Sequence, residues 1–137
     1  MAGTAVTTQE VRKFGGVIAE RLITVVFTSD AAGSVPDEAI DNLYNYYLDE
    51  IITLPDSTSP PTSAYRVAVT DTDGGILFLG EDRSLTVKER QGGYEYNGKA
   101  PGIDEEVEVK LLASDGSTAV NLGNAAIVTV VLRLKRK

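Results

Sequence analysis

The sequence predicts a mainly β protein, an antiparallel β-sandwich of immunoglobulin-like or jelly-roll-like type. Three observations support this prediction. About six short segments are rich in β-branched and aromatic residues, several alternate apolar with polar residues, and Gly, Pro and Asp separate them. A chain of 137 residues can bury one core of ordinary size, and no internal stretch resembles a domain linker, so we expect a single domain over 11–137.

The predicted elements follow from local composition, taken in chain order. Residues 1–10 are small and polar, and we interpret them as a flexible N-terminal arm. The turn Asp71-Thr72-Asp73-Gly74-Gly75 joins two alternating segments and predicts a hairpin. Strands are predicted at 21–29, 65–70, 76–79, 106–113 and 125–134, with an edge strand at 85–89 and a shorter strand within 11–19.

Residues 36–54 carry two conflicting signals. Apolar residues recur at helical spacing from Ile40 to Ile51, and Ser34 with Pro36 is typical of a helix start. The tyrosines and β-branched residues between 46 and 53 are also good strand formers. The periodicity alone favours a helix.

Composition excludes several function classes. The chain has no histidine and no cysteine, which removes the Ser-His-Asp triad, thiolate chemistry and the commonest zinc ligands, so we expect neither an enzyme nor a cofactor. The formal net charge of −7 disfavours direct nucleic acid binding. The apolar runs are too short to span a membrane, and the first ten residues do not resemble a signal peptide.

Two groups of carboxylates are candidates for chemistry. Asp71 and Asp73 resemble the start of a calcium loop, although the next alternate position is Gly75 and the ordinary interpretation is an Asp-stabilised turn. The acidic run 104–106 with Glu108 could attract a cation or a basic partner, or serve a carboxylate-based hydrolase, but it is also typical of a solvated strand entry.

Two other groups are candidates for protein contacts. Tyr94 and Tyr96 lie in a glycine-rich segment, and tyrosine is favoured at interfaces because it buries area with little loss of entropy. The basic C-terminal residues Arg133, Lys135, Arg136 and Lys137 oppose the acidic remainder of the chain. Such charge segregation suits a homo-oligomer or an acidic neighbour, whereas a solvated terminus would need no partner.

The order of several motifs resembles that of a known group of proteins. T-S-D-A-A-G stands at 28–33, a proline-rich stretch at 55–62, A-Y-R-V-A-V-T-D-T-D-G at 64–74 and a closing strand at 127–134. This order resembles short, phage-encoded β-sandwich proteins found among head and tail structural genes. The resemblance covers roughly 23–136, and Arg66 stands where that group usually has Asp.

The resemblance implies a structure and a role. It implies a strand at 47–54, which leaves room for a short helix at 37–44. It implies a non-enzymatic virion protein, assembled in the bacterial host cytoplasm, that acts in head–tail joining, the neck or capsid decoration. Its partners would be portal, capsid or tail components and copies of itself. The alternative is a carbohydrate- or receptor-binding module, calcium-dependent through Asp71 and Asp73.

Overall fold

The chain folds as an antiparallel β-sandwich, as predicted. A computed structural model describes residues 3–137, apart from the side chains of Phe14 and Ile18. Within these residues there is no α-helix, and a single 3₁₀ turn spans Gly93–Glu95. The ten strands are β1 Thr4–Phe14, β2 Val17–Thr28, β3 Glu38–Ile40, β4 Tyr46–Pro55, β5 Arg66–Asp71, β6 Ile76–Leu79, β7 Glu89–Gly92, β8 Gly102–Ile103, β9 Val107–Leu112 and β10 Ile127–Arg136.

The strands form two sheets in which all neighbours are antiparallel. The large sheet has the order β1-β2-β10-β4-β7, and β8 pairs with the start of β4. The small sheet has the order β3-β9-β5-β6. The predicted hairpin is confirmed as β5 and β6, and the strand expected at 47–54 is confirmed as β4.

The core lies between the two sheets and is built by alternation along each strand. In β10, Val128, Val130, Leu132 and Leu134 are fully buried, while the residues between them are partly exposed. Because successive strand residues point to opposite faces, this pattern fixes which face of β10 meets the small sheet. Each fully buried aliphatic side chain stabilises the fold by roughly 1.5–3 kcal/mol.

Aspartates stabilise four of the connecting turns. Asp30, Asp56, Asp71 and Asp115 each accept backbone N–H bonds from residues two to four positions later. Such bonds favour the ionised carboxylate; they lower the pKa of Asp30 and bring the pKa of Asp115 to about 2. The pKa of Asp56 is lowered first by the hydroxyl of Thr58, which donates to it, and then by the backbone bonds. The ordinary interpretation of Asp71 as a turn residue is confirmed.

Three sequence predictions are wrong. The edge strand expected at 85–89 is displaced, since the strand in this region is β7, Glu89–Gly92. Residues from Thr4 to Glu10 are not a loose arm, because they pair with β2 along the whole of β1; Met1 and Ala2 lie outside the described residues. No helix forms at 37–44, where β3 and a turn stand instead. The backbone of Asn42 has a positive φ of 61°, which a right-handed helix cannot contain.

Candidate interaction surfaces

The two predicted interface tyrosines line one groove. Tyr94 is 59% exposed and Tyr96 is 39% exposed, at the 3₁₀ turn that follows β7. The groove has a volume of about 540 Å³ and lies between this turn and the end of β6. Its polar walls are Arg66, Glu81, Gln91 and Glu95.

A buried polar cluster reaches the groove through Gln91, which lines it. Gln91 and Arg83 are only 5% and 9% exposed. When the amide of Gln91 is turned so that its oxygen faces donors, that oxygen accepts from Arg83 Nη2 at 3.1 Å and from the Glu81 backbone N–H at 3.0 Å. Arg83 Nε also donates to the Glu81 carbonyl at 2.9 Å. These bonds fix Gln91 at the groove without help from a ligand.

A glycine sets the position of the 3₁₀ turn Gly93–Glu95, which we call the tyrosine turn. A β-carbon on Gly93 would overlap the carbonyl oxygen of Leu48 in β4, so only glycine allows the turn to lie this close to the sheet. The Gly92 backbone N–H donates to the carboxylate of Glu95. The sequence pointed to the tyrosines but missed Arg66, Glu81 and Gln91, because these three reach the groove from separate strands and loops.

The predicted basic tail forms the end of β10 together with Lys137 directly after it, and most of its charges are paired inside the chain. Lys135 Nζ lies 3.5 Å from Asp49 Oδ2, and Lys137 Nζ lies 3.0 Å from Asp104 Oδ1. Arg136 is exposed at the end of the strand. The basic residues are thus largely neutralised locally, which weakens the argument from charge segregation.

The fourth basic residue, Arg133, belongs to a charge ladder that crosses the large sheet. Arg12, Glu20, Arg133, Glu50 and Arg90 come from β1, β2, β10, β4 and β7, in that spatial order. Successive nitrogen–oxygen distances are 3.7, 3.2, 3.5 and 2.8 Å. The alternating signs therefore run from one edge of the sheet to the other.

The outer face of the large sheet carries apolar residues interleaved with Thr8, Thr24 and Thr129 beside this ladder. Cross-strand register places Val131 next to Ile52 and Val26 opposite Val6 on this face. Ile52 is only 7% exposed although it points away from the core. We call this surface the outer patch; its apolar members are Val6, Leu22, Val26, Ile52, Leu54 and Val131.

The two carboxylates proposed for calcium have a third neighbour. Carboxylate oxygens of Asp71, Asp73 and Glu105 all lie within 4.8 Å of one another. Asp71 Oδ1 already accepts the backbone N–H groups of Asp73 and Gly75 at 3.0 and 2.7 Å, so the turn accounts for that atom. The sequence could not place Glu105 here, since it comes from the loop before β9.

The rest of the acidic run has a different neighbour. Glu106 lies beside Asp41, and a hydrogen bond and charge repulsion between the two carboxyl groups raise the pKa of Glu106.

Among the residues described, no helix has the length and hydropathy needed to cross a bilayer.

Known proteins resemble this chain only weakly. No protein family and no curated protein matches the chain. A solved structure described as "CBM4 structure and function" shares 13% identity with a TM-score of 0.39, covering 97% of this chain and 78% of its own. A structure of infectious bursal disease virus, Gx strain, shares 14% identity with a TM-score of 0.24, and this chain spans 35% of its length.

Proposed function

We propose that this chain is a non-enzymatic structural protein of a tailed-phage virion, acting in head–tail joining, the neck or capsid decoration. The observation that carries the proposal is the outer patch, a solvent-facing part of the sheet beside the charge ladder. In this patch Val6 is 58% exposed, Ile52 is buried, and the other apolar members are half-buried. Apolar surface of this kind marks a protein contact site when it is contiguous. A role based on contacts also agrees with a chain that lacks imidazole and thiol groups.

The outer patch suits a protein partner better than a small ligand. It spreads over four neighbouring strands, from Val6 on β1 to Ile52 on β4. Its apolar centre lies beside charged side chains, as in typical interfaces, where a polar rim surrounds an apolar core. In this proposal the partners are portal, capsid or tail components together with copies of this chain, assembled in the host cytoplasm.

The proposal is tested on particles of the phage that encodes this chain. Purified virions are analysed by quantitative mass spectrometry, and antibodies against the chain locate it by immunogold electron microscopy. We expect several copies per particle, with label confined to one joint or surface. A chain that is abundant in lysates and absent from purified particles would refute the virion role.

A matched pair of valine variants tests the outer patch itself. Val26→Asp places a charge in the patch, whereas Val87→Asp changes a valine that is 60% exposed in the loop before β7. We expect Val26→Asp alone to lower incorporation into particles, with both variants folded by circular dichroism. Equal incorporation would exclude the patch as the contact surface.

A second candidate function is carbohydrate or receptor binding, and the tyrosine groove favours it. Ligand sites commonly combine aromatic faces with a few fixed polar groups, and here Tyr94 and Tyr96 stand beside Arg66, Glu81 and Gln91. Tyrosine rings can pack on the C–H faces of a sugar while the polar groups bond its hydroxyls. The prearranged bonds of Gln91 and Arg83 would reduce the entropic cost of binding.

Glycan-array binding tests this second function. If the chain binds a glycan, Tyr94→Ala and Tyr96→Ala should each weaken binding at least about tenfold, a loss typical of an interface aromatic. Tyr44→Ala is the matched control, since Tyr44 is 57% exposed and lies outside the groove. Binding that survives excess chelator would exclude the calcium-dependent form through Asp71 and Asp73.

A further inference from the structure

The large sheet has a free edge along β1. β1 runs for eleven residues and pairs with β2 on one side only. The other strands at sheet edges are short: β7 and β6 have four residues each, and β3 has three. A long unpaired edge offers backbone N–H and C=O groups to another strand. Within the described residues, β1 is therefore the edge best suited to pairing.

The edge is continuous because the irregularity of this hairpin lies on β2. Arg12 pairs with Glu20, and the next residue, Lys13, pairs with Ile18. Ala19 of β2 therefore has no partner on β1 and forms the bulge. β1 itself keeps a regular spacing past this point. A bulge on the edge strand would twist it away from a partner, and none is present between Thr4 and Phe14.

The charges on β1 are self-complementary. Glu10 and Arg12 flank Val11, so a two-fold axis through Val11 places Glu10 of each copy opposite Arg12 of the other. Opposite charges directly across an antiparallel pair are favourable, and like charges are unfavourable. Charged residues on an edge normally discourage pairing, but in this one register both charges find a partner.

The charge ladder supplies a second reason for the same register. It ends on β1 at Arg12, which is 52% exposed and lies 3.7 Å from both Glu10 and Glu20. A Glu10 side chain from a second copy would extend the alternation of signs beyond β1. The ladder would then continue through the axis into the large sheet of the other copy.

We propose that two copies of this chain pair antiparallel through residues 8–14 of β1, about a two-fold axis at Val11, to form one continuous sheet. The pairing deepens the homo-oligomer of the proposed function and rests on that function for its biological role. The chain alone is enough to test it. If the chain is found in virions but does not pair through β1 in solution, the pairing is overturned and the proposed function stands.

Charge reversal on each side of the axis gives the first test. Glu10→Arg alone places Arg opposite Arg, and Arg12→Glu alone places Glu opposite Glu. Mixed together, the two variants restore both attractive pairs. By sedimentation we expect the wild type to dimerise from its 14.6 kDa protomer. Each single variant should dissociate at least about tenfold more readily, and the equimolar mixture should recover the dimer.

Cysteine crosslinking gives the second test, in a chain that has no natural cysteine. Val11→Cys would face itself across the axis, at the ~4.5–5.5 Å Cα separation that a disulfide spans. Val6→Cys is the control, because its two copies would lie about ten strand residues apart, ~33 Å. We expect Val11→Cys to crosslink at least about tenfold faster. Equal crosslinking of both variants, no crosslinking of Val11→Cys, or a dimer unaffected by the charge reversals would each overturn the proposal.

Discussion

The two edges of the large sheet are built in opposite ways. β7 is short, and its residue Gln91 is buried together with Arg83. The 3₁₀ turn Gly93–Glu95 directly follows β7. β1 is long and exposed along most of its residues. The β7 edge is thus short and bounded by residues of its own chain, whereas the backbone groups along the β1 edge are available to pair with another strand.

The same difference separates the forces that hold each edge. The β7 edge depends on close backbone approach and on desolvated hydrogen bonds, which salt screens weakly. β1 is held by backbone pairing with β2 along its whole length. The charge ladder adds an ion pair at Arg12 that is half exposed and more strongly screened, as is its other end at Arg90 on β7. Changes to geometry should therefore damage the β7 edge most, and changes to charge should affect the ladder.

The largest expected effect comes from breaking the close approach at the β7 edge. Gly93→Ala would push a methyl group into the Leu48 carbonyl and should lower the free energy of unfolding by about 3 kcal/mol. Gly98→Ala is the control; its φ is +80° but no atom lies within 4 Å, so about 1 kcal/mol is expected. Urea unfolding followed by circular dichroism measures both, and equal losses would contradict the prediction.

The next effect comes from interrupting the ladder. Arg133→Met leaves Glu20 and Glu50, each 21% exposed, without their shared cation, and should destabilise the fold by about 2 kcal/mol. Lys135→Met removes a more exposed pair with Asp49 and should cost under about 0.5 kcal/mol. The Arg133→Met deficit should shrink at 1 M salt. A deficit that is independent of salt would point to packing instead.

A smaller effect on the free energy of unfolding is expected at alkaline pH, from the buried Tyr65. Burial raises the pKa of Tyr65 from 10.0 to about 12, so the folded state keeps a proton that the unfolded chain has lost. Its contribution to stability is complete below pH 10 and is lost as the pH rises toward 12. At pH 11 about 1 kcal/mol of this stabilisation should already be lost.

Tyr65→Phe should remove this part of the alkaline decline, while Tyr44→Phe, an exposed site, should not. Urea unfolding at pH 8 and pH 11 gives the difference for each variant. An unchanged decline in Tyr65→Phe would show that other groups dominate.

The smallest expected effect is at the groove. Tyr94→Ser removes a ring that is 59% exposed and should change stability by no more than about 0.5 kcal/mol. A null result would show that this aromatic group is not needed for folding and is free to serve contacts. A loss above about 2 kcal/mol would instead make Tyr94 part of the structural closure of the β7 edge.

The sequence predicted the fold class because burial alternates cleanly in the central strands. Val107, Val109 and Leu111 are buried and separated by partly exposed residues, as their pattern indicated. Residues 4–10 of β1 escaped prediction because an edge strand that is exposed along most of its length has no such contrast. Gly15-Gly16, between two strand-forming runs, was the available hairpin signal.

The candidate surfaces were less predictable because they depend on long-range register. The exposure of Tyr94 and Tyr96 followed from local composition, but their polar neighbours come from other segments. The ion-pair partners of Arg133, Lys135 and Lys137 depend on which strands lie beside β10. The ordering of sheet neighbours is tertiary information, and nothing in the residues near the C-terminus encodes it.

The tip of the first hairpin has a practical consequence. Gly15 and Gly16 form a two-residue turn with φ values of 62° and 82°, and a β-carbon on either would meet nothing within 4 Å. Lengthening such a connection costs little chain entropy. A foreign peptide grafted there would be displayed away from the core, and the scaffold could serve as a carrier for epitopes or labels.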